Sequence, residues 1–394
     1  METRKDLLIT NVITVLPDGI RNDLSIGVSD GKISRMASSV EFDHCEFQNV
    51  LDGHGCYLSP GLIDTHTHGA IGKDFLDVFP DELEELLLWY ASTGVTSLLP
   101  TLSAGLENEF FKNSHMLDDY HHNHFLGSII AGIHIEGPYI SEKRKGAQPL
   151  ADPNTLSVED ADKYITAFSD TIRIVTLAPE FPNGEQLVKD LTSKDVIVSV
   201  GHSDATYEQV LAAVENGLTR STHTFNAMSP LTHHYPGVIG AVMVCDEIFA
   251  ELILDGYHIH PGAAKAMLKA KGLEKIVLVT DSNQATGLSD GVYIRPGDRK
   301  INVIDGQVFL PTGQLAGSTL TLNKAVLNAT KFLDLPLYKA VHLASLNPAR
   351  SIGLLNVGQI KPGLQADLIL HDKDLEISKT IKNGALIFSA EKEM

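Results

Sequence analysis

Cysteine is scarce in this sequence: 394 residues contain only Cys45, Cys56 and Cys245. They lie far apart and form no Cys-x-x-Cys pair, so the chain shows neither a disulfide framework nor a thiolate zinc motif. Long apolar runs are also missing. No stretch approaches the ~18 apolar residues that a membrane-spanning helix needs, and the N-terminus lacks the apolar segment of a secretory signal. We therefore expect a cytoplasmic protein with free thiols.

Positive charge is in deficit, with 31 Lys and Arg against 50 Asp and Glu and a formal net charge of −19. Such a chain repels phosphate backbones and anionic lipids, which argues against nucleic acid or a membrane as partner. The sequence also lacks the GxSxG elbow of serine hydrolases, the P-loop and the dinucleotide-binding glycine fingerprint. These absences leave a small-molecule substrate and another kind of chemistry.

Eight short apolar runs fill the middle of the chain and read as buried β-strands. They are residues 62–63, 95–99, 129–133, 172–177, 196–200, 221–223, 250–254 and 276–280. Helix-like segments lie between several of them, at residues 82–90, 207–216 and 261–271. Strands that alternate with helices in this way predict an α/β fold, and eight such units favour a (β/α)₈ TIM-like barrel over an open sheet.

Both ends of the chain carry short strand-like runs separated by turn dipeptides, such as Asp18-Gly19, Asp30-Gly31 and Pro362-Gly363. This pattern is typical of β-hairpins. We predict that residues 1–54 and 357–394 pair into one small β-domain, and that residues 55–356 form the barrel domain.

Six residues that bind metals or transfer protons stand where apolar runs end. They are His66, His68, Glu136, His202, His223 and Asp281. In a parallel barrel the carboxyl ends of all strands meet at one rim, where active sites are built. Histidine, glutamate and aspartate are ligands for divalent cations. The spacing therefore predicts a metal-dependent enzyme.

The first and third runs carry the most specific of these signals. His66 and His68 are two residues apart in a strand, so both imidazoles face the same side. Glu136 precedes Gly137-Pro138 at a strand end. The fourth run ends without the lysine that many binuclear barrel hydrolases carbamylate, which makes Glu136 the better bridging ligand. The alternatives are two structural histidines and a solvent-facing glutamate, because short motifs give false positives.

His202 and His223 end the fifth and sixth runs, and a single histidine in such a place is more often structural than ligating. Two on consecutive strands, beside the His-x-His pair, favour ligation. Asp281 ends the eighth run and can accept a proton from an attacking water, then donate it to a leaving amine; its alternative role is a helix N-cap. For His134 we expect a structural role.

Several longer stretches carry a family resemblance. They are Pro60–Gly69, His134–Ile140, Lys145–Pro149, Gly201–Ser203, Thr222–Met228, Asp255–His258, Thr280–Ser282, Leu315–Ser318 and Asn347–Arg350. With these, in order and over nearly its whole length, the chain resembles the amidohydrolase superfamily and, within it, the deacetylases of amino-sugar phosphates. The resemblance implies a barrel with a β-sandwich made from both termini, and a homodimer.

The resemblance also implies a reaction, the hydrolysis of N-acetylglucosamine 6-phosphate to glucosamine 6-phosphate and acetate. By this likeness Glu136, His202 and His223 hold one divalent cation. His66 and His68 complete a second site, so two ions are expected, drawn from Zn, Fe, Mn or Co. Asp281 corresponds to the general base and acid.

Substrate contacts are implied for a further set of residues, namely Ala147, Asn226, Ala227, His258 and Leu315. One departure concerns the sugar phosphate. His234 stands where the family has an arginine that reaches the neighbouring active site across a dimer, and Tyr235 replaces the adjacent acid. Arginine is always charged and grips phosphate with two hydrogen bonds, whereas histidine is only partly protonated near pH 7. We expect weaker phosphate binding, or phosphate binding supplied elsewhere, or none.

Three alternatives stay open on the sequence. The substrate could be the galactosamine epimer, N-acetylgalactosamine 6-phosphate, or an unphosphorylated N-acyl amino sugar. The chain could also be a non-catalytic scaffold of the same fold. Such scaffolds typically lose metal ligands, and the expected ligands are all present here.

Overall fold

The computed structural model describes residues 7–43, 46–103, 107–148, 171–295 and 298–390. The strands in these ranges are β1 (Leu7–Thr10), β2 (Ile13–Leu16), β3 (Gly19–Arg21), β4 (Ser25–Ser29), β5 (Lys32–Ala37), β6 (Asn49–Asp52), β7 (Tyr57–Pro60), β8 (Leu62–Thr67), β9 (Gly69–Ala70), β10 (Lys73–Asp74), β11 (Val95–Ser103), β12 (Ile133–Glu136), β13 (Ile172–Leu177), β14 (Ile197–Val200), β15 (Arg220–Ser221), β16 (Phe249–Leu252), β17 (Ile276–Leu278), β18 (Gly291–Arg295), β19 (Arg299–Ile304), β20 (Gln307–Phe309), β21 (Leu368–His371), β22 (Ile377–Lys382) and β23 (Ala385–Ser389).

The α-helices in the same ranges are α1 (Pro80–Ser92), α2 (Glu107–Asn123), α3 (Gly184–Thr192), α4 (Tyr207–Glu215), α5 (Gly237–Val244), α6 (Pro261–Lys271), α7 (Leu322–Phe332), α8 (Leu337–Ala344) and α9 (Leu346–Ser351). Short 3₁₀ helices occur at Ser39–Glu41, Leu126–Ile129, Glu142–Arg144 and Leu273–Lys275. None of the helices in these ranges is both long and apolar enough to cross a membrane.

Eight strands form one sheet, in the order β17-β16-β15-β14-β13-β12-β11-β8. The pairs from β11 to β17 are parallel. The chain that follows β17 then bonds to β8, because the Asp281 amide donates to the His66 carbonyl (2.9 Å) and the His68 amide donates to the Ser282 carbonyl (2.7 Å). These bonds close the sheet, and the predicted (β/α)₈ barrel is confirmed.

The chain divides into two compact units, one of Met1–Asp64, Leu87–Ser97 and Leu322–Met394, the other of Thr65–Leu86 and Leu98–Thr321. The first unit contains a four-stranded sheet, β5-β4-β1-β6, and a six-stranded sheet, β23-β22-β21-β7-β2-β3. Buried side chains from both ends of the chain, such as Ile26 and Leu368, share one core. The predicted β-sandwich built from both termini is confirmed, while the domain boundaries at residues 54 and 357 stay a prediction.

Local sequence explains why these elements form. All nine residues of β11 are buried, as expected for a parallel barrel strand that is covered on both faces. Helix α6 shows the signals of a helix start and stop. The His260 side chain accepts a hydrogen bond from the Gly262 amide, Pro261 occupies the first turn and Gly272 (φ 72°) ends the helix.

The bounds of some elements differ from the extent of the sequence pattern. The apolar run of residues 7–16 is two strands in different sheets, separated by Asn11 in a left-handed conformation (φ 53°). The third barrel strand covers Ile133–Glu136 rather than residues 129–133, because it is preceded by a 3₁₀ turn and by Gly132 at φ 135°. A Cβ at Gly132 would lie 2.8 Å from the Thr171 carbonyl oxygen. The polar segment of residues 115–124 covers the C-terminal part of α2, which ends at Asn123.

Candidate metal centre and active site

The three groups predicted for a first cation, Glu136, His202 and His223, meet in a buried cluster. Glu136 Oε1 lies 3.0 Å from His202 Nε2 and 3.2 Å from His223 Nε2, and the two Nε2 atoms are 3.1 Å apart. Ligand atoms of all three lie within 4.8 Å of one another. Three electron-rich atoms this close are stable only with a proton or a cation between them.

A second cluster adjoins the first. Asp281 Oδ1 lies 3.5 Å from His66 Nε2 and 3.4 Å from His68 Nε2. Glu136 faces this cluster as well, with Oε2 at 3.2 Å from His68 Nε2 and Oε1 at 3.6 Å from His66 Nε2. The structure therefore brings together all six predicted residues, and Glu136 lies between the two clusters.

The backbone at the ends of three strands turns these side chains inward. His202, His223 and Asp281 follow β14, β15 and β17 and have positive φ angles of 48°, 30° and 47°. Such conformations are uncommon for residues other than glycine and cost on the order of 1–3 kcal/mol each. They cluster at functional sites because the surrounding structure has to impose them.

The hydrogen bonds behind the rings fit metal ligation. His68 Nδ1 lies 3.0 Å from the Thr101 carbonyl oxygen, and His202 Nδ1 lies 2.9 Å from the Arg144 carbonyl oxygen. A carbonyl oxygen only accepts, so each Nδ1 donates its hydrogen. The Nε2 atom of each neutral ring then presents a lone pair to the cluster, which is the arrangement found in metal-binding histidines. The residues present therefore fit divalent cations.

A buried ion pair beneath the clusters is not predicted by the pattern of strand ends in the sequence. Glu251 Oε2 lies 3.1 Å from His66 Nδ1 and accepts from the His223 amide (3.0 Å), and Glu251 Oε1 lies 2.6 Å from Arg220 Nη2. Both side chains are completely buried. The available signal was their charge, since Glu251 interrupts the apolar run of residues 250–254 and Arg220 directly precedes that of residues 221–223.

The charged groups of the two clusters shift one another's pKa values. Burial alone would lower the pKa of His66, but the carboxylates of Glu136 and Asp281 raise it well above its usual value. Burial alone would raise the pKa of Glu136, but the charge of His66 and the hydrogen bonds of His202 and His223 hold it well below its usual range. Carboxylates are thus kept ionised in a buried site, which is the state that binds cations.

His134 lies beside the clusters, with its ring 4.7 Å from that of His66. Its Nδ1 lies 3.2 Å from the Thr65 carbonyl oxygen and its Nε2 lies 2.7 Å from Thr176 Oγ1. Burial, helped by the charge of His66, lowers the pKa of His134 to about 3. His134 is therefore a neutral, hydrogen-bonded core residue.

The predicted substrate-binding residues Asn226 and Ala227 lie in the turn after His223. The Asn226 amide donates to the His223 carbonyl (2.9 Å), and Ala227 has a positive φ of 52°. Ala147 belongs to a loop beside His202, because a Cβ added at the preceding Gly146 would lie 3.3 Å from His202 Cε1.

His258 and Leu315 lie in other loops of the same unit. His258 Nδ1 is 2.6 Å from Asp255 Oδ2; burial alone would lower the pKa of His258, but Asp255 and the more distant Asp281 raise it. Leu315 is half-buried and forms an isolated antiparallel β-bridge with Phe309. The loop continues to Ser318, whose amide donates to the Asp281 carbonyl (2.8 Å).

Two polar partners in these loops are likewise not predicted by the sequence. Gln148 donates its side-chain amide to Glu136 Oε2, and Asp255 holds His258. Both belong to stretches that carry the family resemblance, but neither side chain has a signal of its own there. His234, in contrast, is exposed and its ring packs against His233, at 4.0 Å between centroids.

Comparison with known proteins shows the family of the chain. Residues 57–387 match the model of the Amidohydrolase family. The chain is similar to an N-acetylglucosamine-6-phosphate deacetylase of Lysinibacillus sphaericus, with 36% identity over 96% of this chain and 97% of the relative. An N-acetylgalactosamine-6-phosphate deacetylase of Escherichia coli O157:H7 is also 36% identical, over 84% of this chain and 87% of its own length.

Among solved structures, the N-acetylglucosamine-6-phosphate deacetylase of Pasteurella multocida superposes with a TM-score of 0.91 at 29% identity, covering 98% of this chain and 100% of that one. The family match covers residues 57–387, and the relative and the solved structure each cover nearly the whole chain. The chain belongs to the amidohydrolase family.

Proposed function

We propose that this protein is a metal-dependent deacetylase that hydrolyses N-acetylglucosamine 6-phosphate to glucosamine 6-phosphate and acetate. The observation that carries the proposal is the pair of buried ligand clusters that Glu136 links. Similarity to deacetylases of amino-sugar phosphates supplies the substrate class. A non-catalytic scaffold would have no use for six inward-facing ligands.

Each cluster supplies residues for one cation. Glu136, His202 and His223 would hold the first, and His66 and His68 with Asp281 would hold the second. A divalent cation supplies Lewis acidity, which activates water and polarises an amide carbonyl. Two ions are therefore part of the proposal, and the ligand types suit Zn, Fe, Mn or Co.

Asp281 is the proposed proton carrier. An amide is a poor electrophile and its amine is a poor leaving group, so the reaction needs a base for the water and an acid for the nitrogen. Burial alone would raise the pKa of Asp281, but the charges of His66 and His68 hold this pKa below its usual value. The Asp281 carboxylate is thus ionised at neutral pH, ready to accept a proton from water and to deliver it to the departing amine.

The loops around the clusters are proposed to orient the sugar, through Ala147, Asn226, Ala227, His258 and Leu315. His258 is suited to a sugar hydroxyl because Asp255 fixes its Nδ1, which leaves Nε2 for the ligand. The homodimer remains a proposal from family resemblance, with exposed His234 beside the neighbouring active site.

The galactosamine epimer is a second candidate substrate, because a relative named for that specificity is also 36% identical to this chain, although over a smaller share of it. The two sugars differ only at one ring hydroxyl. An unphosphorylated N-acyl amino sugar is the third, because His234 replaces the expected arginine.

An acetate-release assay on protein loaded with zinc tests these proposals. The substrates are the N-acetyl derivatives of glucosamine and galactosamine, each with and without the 6-phosphate. We expect the highest kcat/KM with N-acetylglucosamine 6-phosphate. Equal rates on the plain sugar would exclude phosphate specificity, and no acetate from any of the four would overturn the deacetylase proposal. His234→Arg is the matched variant, and it should lower KM for phosphorylated sugars alone.

A further inference from the structure

One carboxylate lies directly beneath both ligand clusters. Glu251 stands inside strand β16 and is completely buried. Its Oε2 atom contacts one residue of each cluster, His66 through Nδ1 (3.1 Å) and His223 through the backbone amide (3.0 Å). Its Oε1 atom contacts Arg220 Nη2 (2.6 Å).

Stability alone is a weak reason to keep such a group. Removing two charges from water is expensive, and replacing a buried ion pair by apolar side chains of similar size is often neutral or stabilising. Arg220 is completely buried too, and its Nη2 also donates to Thr65 Oγ1 (2.9 Å). A buried pair inside a barrel of apolar strands therefore calls for a role beyond the pair itself.

The hydrogen bonds of Glu251 indicate that role. An ionised carboxylate can only accept, so the hydrogen of the His66 ring is held on Nδ1. In the neutral form of the ring, which cation binding requires, the Nε2 atom of His66 then presents a lone pair on the side where Glu136 and Asp281 lie, at 3.6 and 3.5 Å. Partners of this kind fix the tautomer and the orientation of metal-binding histidines.

The second bond acts on the backbone. The amide of His223 points at the same Oε2 atom, and His223 has a positive φ of 30°. An L-residue adopts such a conformation only where its surroundings impose it. The bond from Glu251 is one of the contacts that hold His223 in this conformation, with its Nε2 toward Glu136.

We infer that Glu251 is a positioning residue that supports cation binding at both clusters at once, by holding the ring of His66 and the backbone of His223. This inference rests on the proposed metal-dependent function. It predicts that loss of the acceptor weakens both sites, although Glu251 is a ligand of neither. A role limited to balancing the charge of Arg220 predicts no such effect.

Two double variants separate these roles. Arg220→Met with Glu251→Gln removes both charges but keeps a side-chain oxygen that can accept from His66 and His223. Arg220→Met with Glu251→Leu removes the charges and the acceptor together. Because Arg220 is replaced in both, neither variant leaves a buried charge without its partner.

The measurement is zinc binding to the full-length chain, by competition with a chromophoric chelator, together with the number of ions bound and the melting temperature of the metal-free protein. We expect the glutamine variant to bind zinc within about threefold of the wild type. The leucine variant should bind both ions 10–100-fold more weakly, the range typical for loss of such a partner.

Equal zinc affinities in the two double variants would overturn the inference and leave the proposed function standing. A wild-type protein that binds no divalent cation would overturn both. If the leucine variant does not fold, Glu251→Asp serves instead, because it keeps the charge beside Arg220 but withdraws the carboxylate from His66 and His223. Zinc affinity of Glu251→Asp equal to that of the wild type would again overturn the inference.

Discussion

A buried histidine of the β-sandwich unit should make the protein sensitive to mild acid. His371 ends strand β21 and is completely buried. Its Nδ1 donates to the Asp372 carbonyl oxygen (2.7 Å), so its Nε2 accepts from the Ser59 hydroxyl (2.8 Å). The ring also stacks on Tyr57. These contacts suit the neutral ring, and burial lowers the pKa of His371 to about 4.

The sign and size of the effect follow from that pKa. A histidine whose pKa is lower in the folded than in the unfolded chain stabilises the fold above the unfolded pKa, and this stabilisation is lost as the pH falls towards the folded pKa. With an unfolded value of about 6.5, the full difference of about 2.5 in pKa corresponds to roughly 3.4 kcal/mol. At pH 5, His371 should have lost about 2 kcal/mol of this stabilisation.

The test compares the free energy of unfolding at pH 7.5 and pH 5 for the wild type and His371→Gln. Trp89 is the only tryptophan of the chain and lies in the same compact unit, so its fluorescence reports on unfolding of this unit. We expect the wild type to lose about 2 kcal/mol more than the variant between the two pH values. His54→Gln, at an exposed site, is the matched control and should behave like the wild type. If His371→Gln keeps the full wild-type pH dependence, the reasoning is refuted.

Three further predictions follow from the described contacts. Asp281→Asn should reduce acetate release by about 10²–10⁴-fold in the zinc-loaded enzyme, as for loss of a general base; a rate near that of the wild type would remove Asp281 from the reaction. Lys382→Met leaves Asp367, its partner at 2.7 Å, as an unbalanced buried charge. It should lower the free energy of unfolding, followed by Trp89 fluorescence, by about 3–5 kcal/mol, and a loss below about 1 kcal/mol, as at a surface ion pair, would contradict this. Removal of divalent cations by a chelator should lower the melting temperature, since a ligand of the native state alone stabilises it, and added zinc should restore it; an unchanged melting temperature would contradict native-state binding.

The barrel could be predicted from the sequence because its physical cause is local. A parallel strand covered on both faces reads as a near-continuous apolar run, and β13 coincides with the predicted run of residues 172–177. The same logic placed Glu136 and His202 at the rim, because a polar residue at the end of such a run has only the mouth of the barrel to face. The apolar pattern does not fix the bounds of an element where the backbone conformation of one residue decides them, as at Asn11 and Gly132.

Glu251 and Arg220 could not be predicted by that logic. Both lie within barrel strands, where the rule for parallel strands expects apolar side chains. Their roles depend on a contact across 31 residues of chain between them and on one across 185 residues to His66. The periodicity of a sequence describes only neighbours along one helix or strand. It therefore does not predict which residues of different strands contact each other in the folded sheet.

A comparison of His134 with His202 shows how a structural histidine differs from a proposed metal ligand within the same barrel. His134 is what a structural histidine looks like in this barrel: it lies in a regular strand and both of its ring nitrogens have uncharged partners. His202 lies in the turn after strand β14, where its φ of 48° departs from strand geometry. Its Nε2 atom faces the Nε2 atom of His223 and the carboxylate of Glu136. Packing and hydrogen bonding explain the first residue completely. They leave the second with a strained backbone and lone pairs that oppose each other, and a bound cation removes the second of these costs.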